Sequence, residues 1–227
     1  MVAWLHAARI RAALFLSIVV GLGIAHAKPT PPCDRCVLEL PSTIETDTPM
    51  LVVLHGDREH ARDAAARWRS ATKARGWILL ALEVPDGTSW WEWNGDASWV
   101  IARAEKVASE AKLDGRRMFL AGWSGGATYI GDHVQAWDGV FAALVVHGGG
   151  RAPVEAACVK RIPAFFLVGD RNPLHRLAIE LRRYLEGCRQ DVVWDLVKRG
   201  AHDAERKALT RAKATAILRW LAAREKR

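Results

Sequence analysis

The stretch "MFLAGWSGGATYIG", residues 118–131, decides how the chain is read. An apolar run of strand length ends at Ser124, and a helix-like run begins directly after it. Gly122 and Gly126 stand two residues away on either side, giving the pattern G-x-S-x-G. Small flanking residues let a backbone make a sharp, strained turn at close quarters, and such a turn lifts its central hydroxyl clear of a sheet. The competing interpretation is a structural glycine turn with no chemistry, and the surrounding chain decides between the two.

Short apolar runs alternate with longer amphipathic ones on both sides of this turn. The strand candidates are "MLVVLH", "WILLALE", "RMFLAGW", "FAALVVH", "AFFLVGD" and "VVWDLV". Each is mostly apolar, as expected of strands covered on both faces. Helices are predicted near residues 60–75, 97–112, 126–136, 174–187 and 203–224. Regular alternation of this kind predicts an α/β fold, a mostly parallel sheet with helices on both faces. The earlier segment "VLELPSTIETDTP" is expected to add one or two antiparallel edge strands. No internal repeat, low-complexity tract or break in composition suggests a second domain.

With 227 residues, half of them apolar, the chain can bury one sizeable core. Its first 27 residues have Arg9 and Arg11, an apolar run over residues 12–24 and "AHA" ending at Ala27, the three-part pattern of a secretory signal peptide. The apolar run is shorter than the roughly 20 residues needed to cross a bilayer. The expected mature protein is therefore a single domain over residues 28–227, secreted to the periplasm or the exterior, without stable membrane insertion. In an oxidising compartment four cysteines imply disulfides, with three possible connectivities. Cys33 with Cys36 and Cys158 with Cys188 is the plain pairing. The C-x-x-C precedes a strand rather than opening a helix, which argues against a redox motif, and the second pair lacks zinc-ligand spacing. The net charge is +8, with Arg9 and Arg11 contributing two of those charges. Much of the rest alternates with apolar residues on the last predicted helix, as on a solvated outer face, so nucleic acid is not an expected partner.

In a parallel sheet, ligands bind beyond the carboxyl ends of the strands. Residues just after the apolar runs include His55-Gly56-Asp57, Ser124, His147-Gly148-Gly149, Asp170 with Asn172, and His202. A serine hydroxyl needs a base within hydrogen-bonding reach. His202, between the last strand and the last helix, is the candidate, with His175 its rival and a helix cap its non-catalytic alternative. The N–H groups of Gly125 and Asp57 are the expected donors to an oxyanion, the first helped by the start of a helix. Trp90, Trp91 and Trp93, in "SWWEWNGD", are candidates for an apolar substrate wall.

These residues resemble the α/β-hydrolases, in particular secreted esterases of the polyhydroxyalkanoate depolymerase and feruloyl esterase type. The matching features are "LVVLHG", "SWWEWNGD", "LDGRRMFLAGWSGGATY", "FAALVVHGGG" and "GAHD", across roughly residues 50–205. The resemblance implies a serine carboxylic-ester hydrolase working through an acyl-enzyme on a small-molecule or oligomeric ester, with no metal or organic cofactor. It also implies an acid in the form Gly-x-x-Asp after a strand, and here the sequence departs from the pattern. In "VGDRNPLH" that position is Asn172, and the carboxylate, Asp170, lies two residues earlier. Asp170 is expected to serve as the acid, with Asn172 alone, Asp195 or Asp203 as alternatives. Peptide or amide hydrolysis shares every motif. A catalytically silent binding protein is the reading if the acid is gone.

Overall fold

The computed structural model describes residues 28–84, 93, 95–154 and 157–225. The expected signal peptide, Trp90 and Trp91 lie outside them. Among the described residues, seven strands form one sheet in the order β1-β3-β2-β4-β5-β6-β7. They are β1 (Val37–Glu39), β2 (Met50–Leu54), β3 (Ile78–Leu82), β4 (Met118–Trp123), β5 (Ala143–His147), β6 (Ala164–Gly169) and β7 (Val192–Val197). Strands β2 to β7 are parallel, while β1 pairs antiparallel with β3 as the single edge strand from the "VLEL" segment.

The helices are α1 (Ala61–Ala74), α2 (Ser98–Glu110), α3 (Gly125–Asp132), α4 (Val134–Trp137), α5 (His175–Gly187), α6 (His202–Ala208) and α7 (Arg211–Ala222). Two stretches read as single helices in the sequence are broken. His133 separates α3 from α4. Thr210 interrupts the last helix by taking an extended conformation and capping α7, its side chain accepting the Lys213 N–H. That break makes α6 a short separate helix, and α6 starts at His202.

Successive strand residues face opposite sides of a sheet, so continuous apolar runs build two cores. Val52 and Leu54 of β2 join Leu80, Leu120 and Val146 beneath residues of α2, α3 and α5. Leu51 and Val53 join Leu79, Phe119 and Val145 beneath α1 and α7. The chain runs from β2 to β3 on one side and then crosses to β4 on the other side of β2. The chain therefore leaves the carboxyl ends of β2 and β4 toward opposite faces, to α1 and α3, at the switch of direction where parallel sheets hold their ligands. Asp57 follows one of these strands and Ser124 the other. Disulfides join Cys33 to Cys36 and Cys158 to Cys188, the pairing expected from the sequence. No helix of the described residues is long and apolar enough to cross a membrane.

Candidate active site

Ser124 sits between β4 and α3 with φ 51° and ψ −114°, a left-handed conformation that costs a non-glycine residue energy. The turn is held at both sides: the Ser124 N–H donates to the His147 carbonyl, and the Ser124 carbonyl accepts from the Thr128 N–H, both at 2.9 Å. The crossing is too tight for side chains. A Cβ on Gly122 would lie 2.6 Å from the Gly126 backbone, and one on Gly126 would lie 2.6 Å from the His55 carbonyl.

His202, the first residue of α6, places Nε2 2.9 Å from Ser124 Oγ. It is not a cap, since Ala201 holds that position. Its Nδ1 lies 3.0 Å from Glu205 Oε2, one turn further along α6. A carboxylate only accepts, so Nδ1 carries the proton and Nε2 is left as an acceptor for the serine hydroxyl. The result is a hydrogen-bonded line from Oγ through the imidazole to a carboxylate.

That carboxylate is not the expected one. Asp170 is exposed, at the end of β6, and His202 is paired with Glu205 instead. The correction has a physical cause. Glu205 is fully buried and draws only donors: its Oε1 accepts from the Gly169 N–H, and its Oε2 accepts from Asn172 Nδ2 at 2.6 Å as well as from His202. Close contact brings α6 within reach, because Gly169 lacks a side chain where a Cβ would meet the Gly200 carbonyl at 2.1 Å. Asp195 is tied to Lys213, and Asp203 is exposed and paired with Arg206 and Lys207, so neither alternative faces the histidine.

Asn172 occupies the acid position of the Gly-x-x-Asp pattern and is buried. Its Oδ1 accepts from the Leu174 N–H at 2.9 Å, which fixes the amide orientation, and Nδ2 donates to the Gly148 carbonyl and to Glu205. Nδ2 also lies 3.1 Å from His202 Nδ1, but two donors meet there and no hydrogen bond results. An aspartate at 172 would point a carboxylate at both the Gly148 carbonyl and Glu205. The amide is therefore the complement of the buried glutamate.

Two aromatic residues complete the support. Trp123 stacks on His202 with ring centroids 4.4 Å apart and planes 10° from parallel. It is itself buried, and Gly56 and Gly148 lie so close that a Cβ on either would strike the indole. His147 donates through Nε2 to the Glu205 carbonyl at 2.8 Å. Complete burial lowers its pKa to about 3, so it stays neutral and serves as a fixed donor. Neither Glu205 nor these supports was identified from the sequence, although the spacing His-x-x-Glu, which puts both side chains on one helix face, was a readable signal.

The remaining expectations divide. Asp57 lies beside Gly125, its carboxyl against the glycine Cα, so the β2–α1 turn abuts the turn at Ser124. His175 packs on Trp194 rather than on Ser124. Trp93 turns inward, its Nε1 donating to the His55 carbonyl at 2.9 Å and its ring packing on His55, Trp99 and Tyr129. These contacts make it part of the support under β2 instead of a free substrate wall.

The chain has the α/β-hydrolase fold. Among solved structures, it is similar to a Bacillus cereus carboxylesterase, with a TM-score of 0.62 and 16% identity over 83% of this chain and 93% of that one. A thermostable esterase superposes with a TM-score of 0.65 and 19% identity, covering 84% of this chain and 59% of that chain. A curated relative, the bifunctional acetylxylan esterase/xylanase XynS20E of Neocallimastix patriciarum, is 23% identical over 136 residues, 58% of this chain. The match spans only 20% of that relative's length. No family model matches the chain.

Proposed function

We propose that the protein is an extracytoplasmic carboxylic-ester hydrolase in which Ser124 is the nucleophile, His202 the general base and Glu205 the acid that orients it. The reading is carried by the unbroken line from Ser124 Oγ to His202 to Glu205. His202 Nε2 takes the hydroxyl proton as Oγ attacks the ester carbonyl, and Glu205 stabilises the imidazolium that forms. The Gly125 N–H, at the start of α3, and the Asp57 N–H receive the oxyanion. His202 then returns the proton to the departing alcohol, leaving an acyl-enzyme. In the second half, His202 deprotonates water, and the attack on the acyl group releases the acid and regenerates Ser124.

A silent binding protein was the reading that followed from a missing carboxylate. Glu205 supplies a carboxylate at the required atom, which favours catalysis. Two disulfides support an oxidising compartment. The test is hydrolysis of p-nitrophenyl acetate by the oxidised protein beside its Ser124→Ala variant, with labelling by a serine-directed phosphonate. Turnover and labelling that both vanish in the variant support the proposal. Equal rates for the two proteins would overturn it.

A further inference from the structure

Asp57 has a side chain that the reaction above does not use. Gly125, directly after Ser124, lacks a Cβ where one would lie 2.0 Å from Asp57 Oδ1 and 2.6 Å from its Cγ. The carboxyl group thus occupies the space that any larger residue at 125 would take. It is also exposed, at the end of β2 on the open side of the sheet, so a bound molecule can reach it. Partial loss of hydration against the turn raises its pKa above the ordinary value, with His55, Arg58 and His202 opposing that rise and Glu59 adding to it. His202 faces it from α6, and the others come from β2 and its own turn.

We infer that the Asp57 carboxylate sets the charge preference of the site, disfavouring esters with a negative group near the scissile carbonyl and favouring neutral or cationic ones. This rests on Ser124 being the nucleophile. A like charge beside the oxyanion donors raises the barrier for an anionic substrate, and the penalty acts at short range, where solvent and salt screen it least. The global field has the opposite sign, because the chain's net charge of +8 stays positive without Arg9 and Arg11 and draws anions toward the protein. The two influences therefore predict opposite orders of preference.

Three aryl acetates with a cationic, a neutral and an anionic para substituent on the leaving group separate them: 4-(trimethylammonio)phenyl acetate, methyl 4-acetoxybenzoate and 4-acetoxybenzoate. The full oxidised protein is expected to prefer the cationic over the anionic ester in kcat/KM, after correction for their intrinsic reactivities. Asp57→Asn is expected to shift that ratio toward the anion by about five- to tenfold. Asp114→Asn changes net charge equally but lies before β4, at the opposite end of the sheet, and is expected to leave the ratio in place. A ratio unmoved by Asp57→Asn, or moved equally by Asp114→Asn, would overturn the inference. Failure of the parent reading looks different, since all three esters would then react no faster than with Ser124→Ala.

Discussion

The turn after β4 and the turn after β6 carry the same kind of local sequence signal and behave differently. At Ser124, the glycines that allow the crossing lie within two residues, and the strained backbone is fixed by a bond to Thr128 one turn on and by another to His147 at the end of the neighbouring β5. At the β6 turn, the local pattern offered Asp170, yet the carboxylate arrives from α6, more than thirty residues later in the chain. A nucleophile turn is a conformation, and conformations are written in neighbouring residues. A hydrogen-bond partner is a position in space, and any element that reaches it can supply the group.

Ser124→Ala is expected to have the largest effect, a loss on the order of 10⁶ in kcat for esters with melting little changed, read by stopped assays against a buffer blank. Glu205→Gln follows, with a loss of about 10³ to 10⁴ in kcat, since an amide presents a donor to His202 and disturbs its tautomer. The comparison sharpens with Asn172→Asp. Alone it lowers activity, because two carboxylates face each other and one takes up a proton. Combined with Glu205→Gln it restores part of the loss by returning the acid to the β6 turn. Asp170→Asn should stay within about twofold of the parent, as expected of an exposed residue away from the line. If that variant fell as far as Glu205→Gln, the assignment of the acid would be broken.

Trp123→Leu removes the ring under His202, and a loss of about 10- to 100-fold in kcat with KM little changed is expected from the misplaced base. A smaller, thermodynamic effect concerns His147. Its folded pKa is about 3 against 6.5 in the unfolded chain, so between these values the unfolded state binds more protons. Stability is fully present above pH 6.5 and falls as the pH drops from there toward 3. His147→Gln should flatten this limb of a plot of melting temperature against pH, while lowering stability at neutral pH through imperfect packing against Trp123. An unchanged acid limb in the variant would show that other groups carry it.

Six of the seven strands follow the apolar runs almost to the residue, because a strand buried on both faces needs an uninterrupted apolar sequence. The last helix was legible only as a whole. Its break at Thr210 separates α6 from α7, and amphipathic spacing continues through a capped break without showing it. Glu205 lies on the short helix that this break sets apart, and its partners on the β6 turn are distant in sequence. The approach of His202 to Ser124 was legible because both residues follow strands of one parallel sheet. Trp93 was expected to line a substrate wall, and its inward turn was not legible because it depends on the His55 carbonyl, distant in sequence, accepting from its Nε1.

Sequence alone determined the parallel sheet, the sharp turn at Ser124 and the place of His202 after the last strand, since each depends on residue types at short, fixed spacings. Only the tertiary structure decided which carboxylate completes the line. Burial selects a group by the donors gathered around it, and the Gly169 N–H, Asn172 and His202 converge on Glu205 only when β6, its turn and α6 are packed together.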